Sequence, residues 1–200
     1  MSISTAGVSI DSLIPQNGYI GTSLILRSAD RFLFGLRSPR LEGTNQIIEV
    51  TGIGGGMEKE DTSYWLGAVR EAREEIDCEV RLLESERNLV VRGVDDVQMV
   101  ELSSPEKPAA LVFRNHQTPI RQPWSLENSG SLCILVFVAT IIGVPRPAME
   151  LPWLIWLRPE QVLNCTQRDV PIKDLLAEGA DLITSESKKP ALKSFSRMTD

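Results

Sequence analysis

A chain of 200 residues, 42% hydrophobic and 24% charged, can bury a substantial core and lies near the upper end of what a single domain usually holds. Its net charge of -6 argues against nonspecific nucleic-acid binding, which relies on a basic surface to displace counterions. Cys78, Cys133 and Cys165 form no CxxC pair and share the chain with a single histidine, so they fit reduced, mostly buried thiols in a cytoplasmic protein better than a zinc site.

The N-terminal stretch MSISTAGVSIDSLIPQ has no basic segment leading into an apolar one, and neither a secretory signal nor a transit peptide is expected. Leu24–Leu26 and Phe32–Leu36 are short apolar runs around a polar stretch, which predicts a hairpin turning near Ala29 and Asp30. Gln46–Thr51 predicts another strand, running into a loop at Gly52–Gly56. A helix is predicted over Thr62–Ile76: Asp61, Thr62 and Ser63 offer capping side chains, and Trp65, Ala68, Val69, Ala72 and Ile76 recur at helical spacing. Short strands are expected at Glu79–Leu83, Leu89–Val91, Val97–Leu102 and Ala109–Phe113. Ser131–Pro145 is apolar but shorter than the roughly 20 residues of a membrane span and rich in β-branched residues, so it reads as a buried strand. Leu154–Leu157 predicts a strand leading into a helix that opens at Pro159, and Pro171–Ala177 one or two further helical turns. These elements predict an α/β/α sandwich with a mixed sheet. The expected organisation is one domain over 1–200, with an N-terminal arm at 1–18, a core at about 20–165, and a C-terminal helix and mobile tail at 166–200.

The acidity is concentrated. Between Glu58 and Glu79 stand eight acidic and three basic residues, a local balance of -5. A solvated helix face is the ordinary explanation of such a run, but the spacing points elsewhere. Residues three and four apart share a helix face, so Glu71, Glu74 and Glu75 project together, with Arg70 in reach of Glu74. Like charges at that spacing cost a helix a few tenths of a kcal/mol per pair. A hard divalent cation would offset the repulsion, since Mg²⁺ takes oxygen ligands and bridges carboxylates to substrate phosphates. Gly54, Gly55 and Gly56, just upstream, let the backbone approach a ligand closely.

Gly56–Cys78 reads GMEKEDTSYWLGAVREAREEIDC, and this segment resembles the Nudix box: a glycine, five residues, a glutamate, seven residues, then R-E-U-x-E-E-x-G-U, with U a bulky aliphatic residue. The resemblance implies a Nudix-like fold and a hydrolase that uses Mg²⁺ or Mn²⁺ to cleave a diphosphate linkage in a nucleoside diphosphate derivative. It assigns Glu71, Glu74 and Glu75 to the metal, with Gly55 as the motif glycine beside them, and gives Arg70 the role of orienting the carboxylates. Strict spacing puts Thr62 where the family has its first glutamate; one inserted residue puts Asp61 there instead, and this alignment is preferred because it also brings Glu58 onto an acidic loop position. Ala72 stands at a bulky position. Asp77 replaces the glycine after the helix, a residue that tolerates the left-handed conformation better than most. The resemblance covers roughly residues 20–165 as architecture, but Gly93–Asn128 aligns with nothing in it.

Water attacking a diphosphate must give up a proton, and the family sometimes uses a glutamate on a late loop for this. Glu127 and Glu150 flank the long apolar strand; Glu127 is preferred for its flexible neighbours, and Glu74 is the fallback if neither serves. Arg37 and Arg114 are the candidates for phosphate recognition, since arginine offers phosphate a forked donor, with Arg40 and Arg121 carrying the same ambiguity. His116 reads as a surface-loop histidine, its sharper role being a general acid or phosphate contact. Trp65, Trp156 and Cys78 read as packing. The partner implied is a small molecule, with neither nucleic acid nor membrane; a homodimer is compatible with the sequence. The competing reading is a Nudix-fold sensor that binds a nucleotide-like ligand without cleaving it.

Overall fold

Tyr19–Ser28 (β1) and Arg31–Leu36 (β2) pair antiparallel through Leu26 and Leu33, Arg27 and Phe32, and Ser28 and Arg31. The two-residue turn falls at Ala29 and Asp30, as the polar interruption predicts, and Ala29 carries the left-handed φ of 52° that such a tight turn demands. The computed structural model describes residues 7–14, 18–42, 45–115 and 131–185. These divide into two compact units of interleaved sequence. The first draws on 7–23, 55–68 and 82–138, the second on 24–54, 69–81 and 139–185.

In the second unit, Trp153–Leu157 (β11) adds antiparallel to β2, with Ile155 opposite Phe34, and Asp181–Thr184 (β12) adds to β11. The sequence gives no signal for β12, which is four residues long and half-buried. The run predicted as one strand over Gln46–Thr51 divides instead. Asn45–Ile47 (β4) pairs with Arg40–Glu42 (β3), whereas Val50–Thr51 (β5) pairs with the end of β2. The interruption, Ile48–Glu49, serves the core: Ile48 is 2% exposed and packs with Leu36, Trp153, Ile155 and Leu157. The helices Pro159–Gln167 (α3) and Ile172–Ala177 (α4) close this cluster through Cys165, Ile172 and Leu175. Pro159 opens α3 where its missing N–H costs nothing.

In the first unit, Asn88–Gly93 (β7) pairs antiparallel with Asp96–Val100 (β8) and parallel with Ala110–Asn115 (β9), and β9 pairs antiparallel with Ser131–Ile142 (β10). The sheet is therefore mixed, as expected. Alternate residues Cys133, Leu135 and Phe137 of β10 are fully buried, and Trp65 sets its ring against Phe137 with centroids 6.0 Å apart. The apolar stretch is a strand, and Trp65, half-buried, packs against it. A short helix, Ile10–Leu13 (α1), is held by the Ile10 N–H to Ser104 Oγ and by Tyr64 Oη donating to Asp11. Glu79–Leu83 (β6) follows the long helix at the predicted bounds. All three cysteines are free and buried, and no helix among the described residues is long and apolar enough to cross a membrane.

One contact in the second unit sets where a loop lies. Leu151, 1% exposed, fills the space that a side chain on Gly35 would need: an added Cβ would stand 2.5 Å from one Leu151 methyl and 2.9 Å from the other. Gly35→Ala should therefore destabilise by about 1–3 kcal/mol in urea unfolding, the usual cost of overpacking. Gly93→Ala, where nothing lies within 4 Å, should change stability far less.

Candidate active site

The helix that carries the acidic cluster spans Tyr64–Ile76 (α2). Its first turn is satisfied by Ser63 Oγ, which accepts the Leu66 N–H at 3.2 Å, and by Glu106, which accepts the Trp65 N–H at 3.1 Å. The cap is thus made by the third of the three candidates, Ser63, with help from a glutamate 41 residues away that no local pattern could reveal. Asp61 Oδ2 accepts the Glu58 N–H at 2.9 Å and closes the preceding loop. The helix ends as its sequence predicts: Asp77 takes a φ of 46°, the left-handed stop usually given to glycine. Two carbonyls of the last turn are then taken by the loop after β10, through Ala148 N–H to Glu75 O at 3.0 Å and Arg146 N–H to Ile76 O at 2.8 Å.

Ala68, Ala72 and Ile76 form the buried stripe of α2. Glu71 and Glu75 lie in the same stripe, at the i+3 and i+7 positions from Ala68 that a packing helix gives to apolar side chains. They are 8% and 4% exposed, whereas the Glu74 side chain is 39% exposed. Arg70 Nη1 donates to Glu71 Oε1 at 2.8 Å and to Glu74 Oε2 at 2.9 Å, so one guanidinium spans the two carboxylates. Arg73 turns away and pairs with Glu79 through two bonds of 2.7 and 3.0 Å.

Glu75 is held from the loop side. The Gly54 N–H donates to its Oε2 at 2.8 Å, and Gly54 has a φ of 149°, open to glycine and hardly to anything else. Burial pushes the Glu75 carboxyl up to about 8; the Gly54 bond opposes this, Glu71 and Glu150 add to it, and Arg37 pulls the other way. Arg37 and Glu150 face each other across 3.4 Å. Of the expected residues, Arg37, Arg70, Glu71, Glu74 and Glu75 therefore belong to one neighbourhood, joined by Gly54 and by Glu150, the less favoured of the two loop glutamates.

The donor set suits a hard divalent cation, being all carboxylate oxygen, partly desolvated and beside an arginine that already spaces two of its members. Among the described residues no group of three or more His, Cys, Asp or Glu side chains is placed to hold a metal as the side chains stand, since Arg70 closes on Glu71 and Glu74. Mg²⁺ does not need such a cage: it retains several waters and takes one or two protein carboxylates besides substrate phosphate.

Neither a protein-family model nor a curated protein matches this chain. Solved structures do. The E. coli ORF135 protein is 19% identical over 74% of this chain and 79% of its own, with a TM-score of 0.44. A Nudix-family hydrolase of Clostridium perfringens is 17% identical over 81% and 93%, with a TM-score of 0.41, and a Nudix hydrolase of Nitrosomonas europaea 13% identical over 74% and 76%, with a TM-score of 0.43.

The remaining candidates make other contacts or lie outside the described residues. Gly55 forms a strand-like contact in the first unit, its carbonyl accepting the Thr22 N–H at 2.8 Å, and Thr62 is exposed. Arg114 is exposed on β9, opposite Leu132, and Arg40 is exposed on β3. His116, Arg121 and Glu127 lie outside the described residues. Trp156 is half-buried on β11, and Cys78 is buried with its thiol against Ile142 O at 3.1 Å. The sequence reading names Gly54 only as one of three adjacent glycines; its bond to Glu75 depends on a contact across 21 residues.

The Glu75 shift has a sign that can be tested in metal-free protein. A carboxyl raised from 4.5 to about 8 on folding binds its proton more tightly in the native state. Its contribution to stability is fully present below the unfolded value and is lost as pH rises through about 8. The melting temperature of protein kept in chelator should fall more steeply between about pH 5 and pH 9 than that of Glu75→Gln, whose neutral amide removes this contribution. Parallel pH profiles for the two proteins would refute the assignment.

Proposed function

We propose that this chain is a metal-dependent Nudix-type pyrophosphohydrolase, acting in the cytoplasm on a diphosphate linkage in a small nucleoside diphosphate derivative. The observation that carries the reading is the burial of Glu71 and Glu75 in the packing stripe of the helix that bears R-E-A-R-E-E, with Glu75 gripped by the Gly54 N–H. Buried carboxylates are costly unless paired, and strongly perturbed acids gather at functional sites. The box adds the family to the chemistry.

Glu71, Glu74 and Glu75 would hold Mg²⁺ or Mn²⁺, with the motif glycine Gly55 assigned to the same role by the resemblance alone. A divalent cation, when bound, supplies charge neutralisation to the diphosphate oxygens and acidity to water. Arg70 fixes the spread of Glu71 and Glu74, and Gly54 fixes one oxygen of Glu75, so the carboxylates are oriented before substrate arrives. Arg37 binds a phosphate through its forked guanidinium, and Arg114 is the second candidate for that contact. The oxygen of water bonds to phosphorus, the bridging P–O bond breaks, and a carboxylate takes the proton. Glu127 was the acceptor preferred on sequence grounds. The proximity of Glu150 to Glu75 favours Glu150 as the alternative.

A binding module without turnover is the second reading, and the closure of Arg70 on Glu71 and Glu74 speaks for it. Release of AMP or phosphate from a panel of nucleoside diphosphate derivatives, with and without Mg²⁺, separates the two. Under the enzyme reading, Glu74→Gln and Glu75→Gln should each cut turnover roughly 100-fold or more and weaken Mg²⁺ binding in calorimetry. Unchanged binding and activity in both would remove the site assignment. The proton acceptor has its own signature: Glu127→Gln or Glu150→Gln, whichever is the base, should lose the acidic limb of the pH-rate profile and about 10²-fold or more in rate, with Mg²⁺ affinity nearly unchanged. Wild-type rates in both would move the role to Glu74.

A further inference from the structure

Arg37 and Glu150 are brought together by construction rather than by surface chance. Arg37 directly follows the last residue of β2, and its backbone N–H donates to Glu49 O at 3.0 Å. The registers of Leu36 with Val50 and with Trp153 fix the strand end from both sides. Glu150 is fixed independently. The loop before it is tied to the last turn of α2 by the Arg146 and Ala148 N–H groups, and a turn closed by the Leu151 N–H to Ala148 O holds Met149 at a φ of 47°, a conformation that residues with side chains rarely adopt. Immediately after it, Leu151 is buried over Gly35. Three constraints thus present the Glu150 carboxylate to a guanidinium that stands, like it, within electrostatic range of Glu75.

A carboxylate placed there is hard to explain as stabilisation. Both side chains are partly exposed, 32% for Arg37 and 49% for Glu150, and exposed pairs contribute little. Glu150 moreover adds negative charge beside Glu71 and Glu75. What the carboxylate does do is supply a planar oxyanion to an arginine, the same geometry that a phosphoryl group supplies.

We propose that Glu150 is a built-in anion that occupies Arg37 until a phosphoryl group of the substrate displaces it. The pair is then an exchange device: the incoming diphosphate gains the guanidinium, and the carboxylate is released beside the other acids of the site. This rests on the reading of the site as one that binds diphosphate, but not on whether it cleaves one. The consequence is that Glu150 competes with substrate in binding, whatever it contributes afterwards.

Inorganic pyrophosphate is the probe, titrated by calorimetry into the full chain in chelator, so that neither metal nor turnover enters. Glu150→Gln should tighten pyrophosphate binding about 2- to 5-fold, the gain expected when an exposed ion pair no longer has to be broken. Arg37→Gln should weaken binding, and in that background the additional Glu150→Gln change should have no effect. The coupling should shrink in about 0.5 M salt. A gain from Glu150→Gln that is equal in both backgrounds would mean a diffuse field effect and would overturn the exchange, as would no gain at all, no measurable pyrophosphate binding to wild type and Glu150→Gln alike, or Arg37→Gln binding like the wild type. Turnover is measured separately: a chain that shows the coupling but hydrolyses nothing would refute the proposed activity and leave the exchange standing.

Discussion

The hydrogen bond from the Gly54 N–H to Glu75 Oε2 joins two parts of the second unit, a glycine loop and a helix 21 residues further on. It is a charge-assisted contact when Glu75 is ionised, among the stronger kinds available to a protein. It requires a residue at φ 149° on one side and a buried carboxylate on the other. Replace either and the loop loses its anchor to α2. The position of Glu75 in turn depends on its place in the packing stripe with Ala72 and Ile76, so the core of the helix and the geometry of the acids are one structure. Under the proposed function, a metal or phosphate would meet groups already aligned.

Acids outnumber bases in this neighbourhood, with Arg37 and Arg70 set against Glu71, Glu74, Glu75 and Glu150. Arg70 serves Glu71 and Glu74, the more accessible part of the cluster, whereas Glu75 relies on a backbone dipole and on the field of Arg37. Burial is the largest cause of the Glu75 shift up to about 8, with the Gly54 N–H and Arg37 opposing it. An acid in that state holds its proton more tightly than a solvated carboxyl, and a cation that takes it as a ligand must displace that proton. Affinity for a divalent ion should accordingly be linked to pH over the range in which Glu75 titrates, as it is wherever ligands must deprotonate to bind.

Much of this was legible from residue order. The turn at Ala29 and Asp30, the long buried strand β10, the Pro159 helix start and the left-handed Asp77 all follow from local rules, because each depends on neighbours in sequence. So did the grouping of Glu71, Glu74 and Glu75 with Arg70, which helical spacing alone decides. What sequence could not supply were pairings between distant segments. Ile48 splits a predicted strand because the core of the second unit needs an apolar side chain at that point, and Glu106 caps α2 across 41 residues. The choice of Gly54 over Gly55 depends on one backbone dihedral, and the meeting of Arg37 with Glu150 depends on Leu151 settling over Gly35.

The carboxylates in the stripe of α2 also bear on why a binding fold would keep them. Positions i+3 and i+7 from Ala68 would be filled more stably by leucine or methionine, which recover the free energy of apolar burial that a glutamate forfeits. Marginally stable proteins retain such a loss chiefly where function demands it, since a substitution relieving it would otherwise be easy to find. Two glutamates at packing positions, one of them fastened to a glycine loop, therefore represent a cost concentrated on a single surface. A module that only held a nucleotide could meet phosphate with arginines and backbone N–H groups, and acids there would repel the ligand. Acids at that surface become an advantage when something of opposite charge stands between them and a diphosphate, and under the proposed function that is a divalent cation.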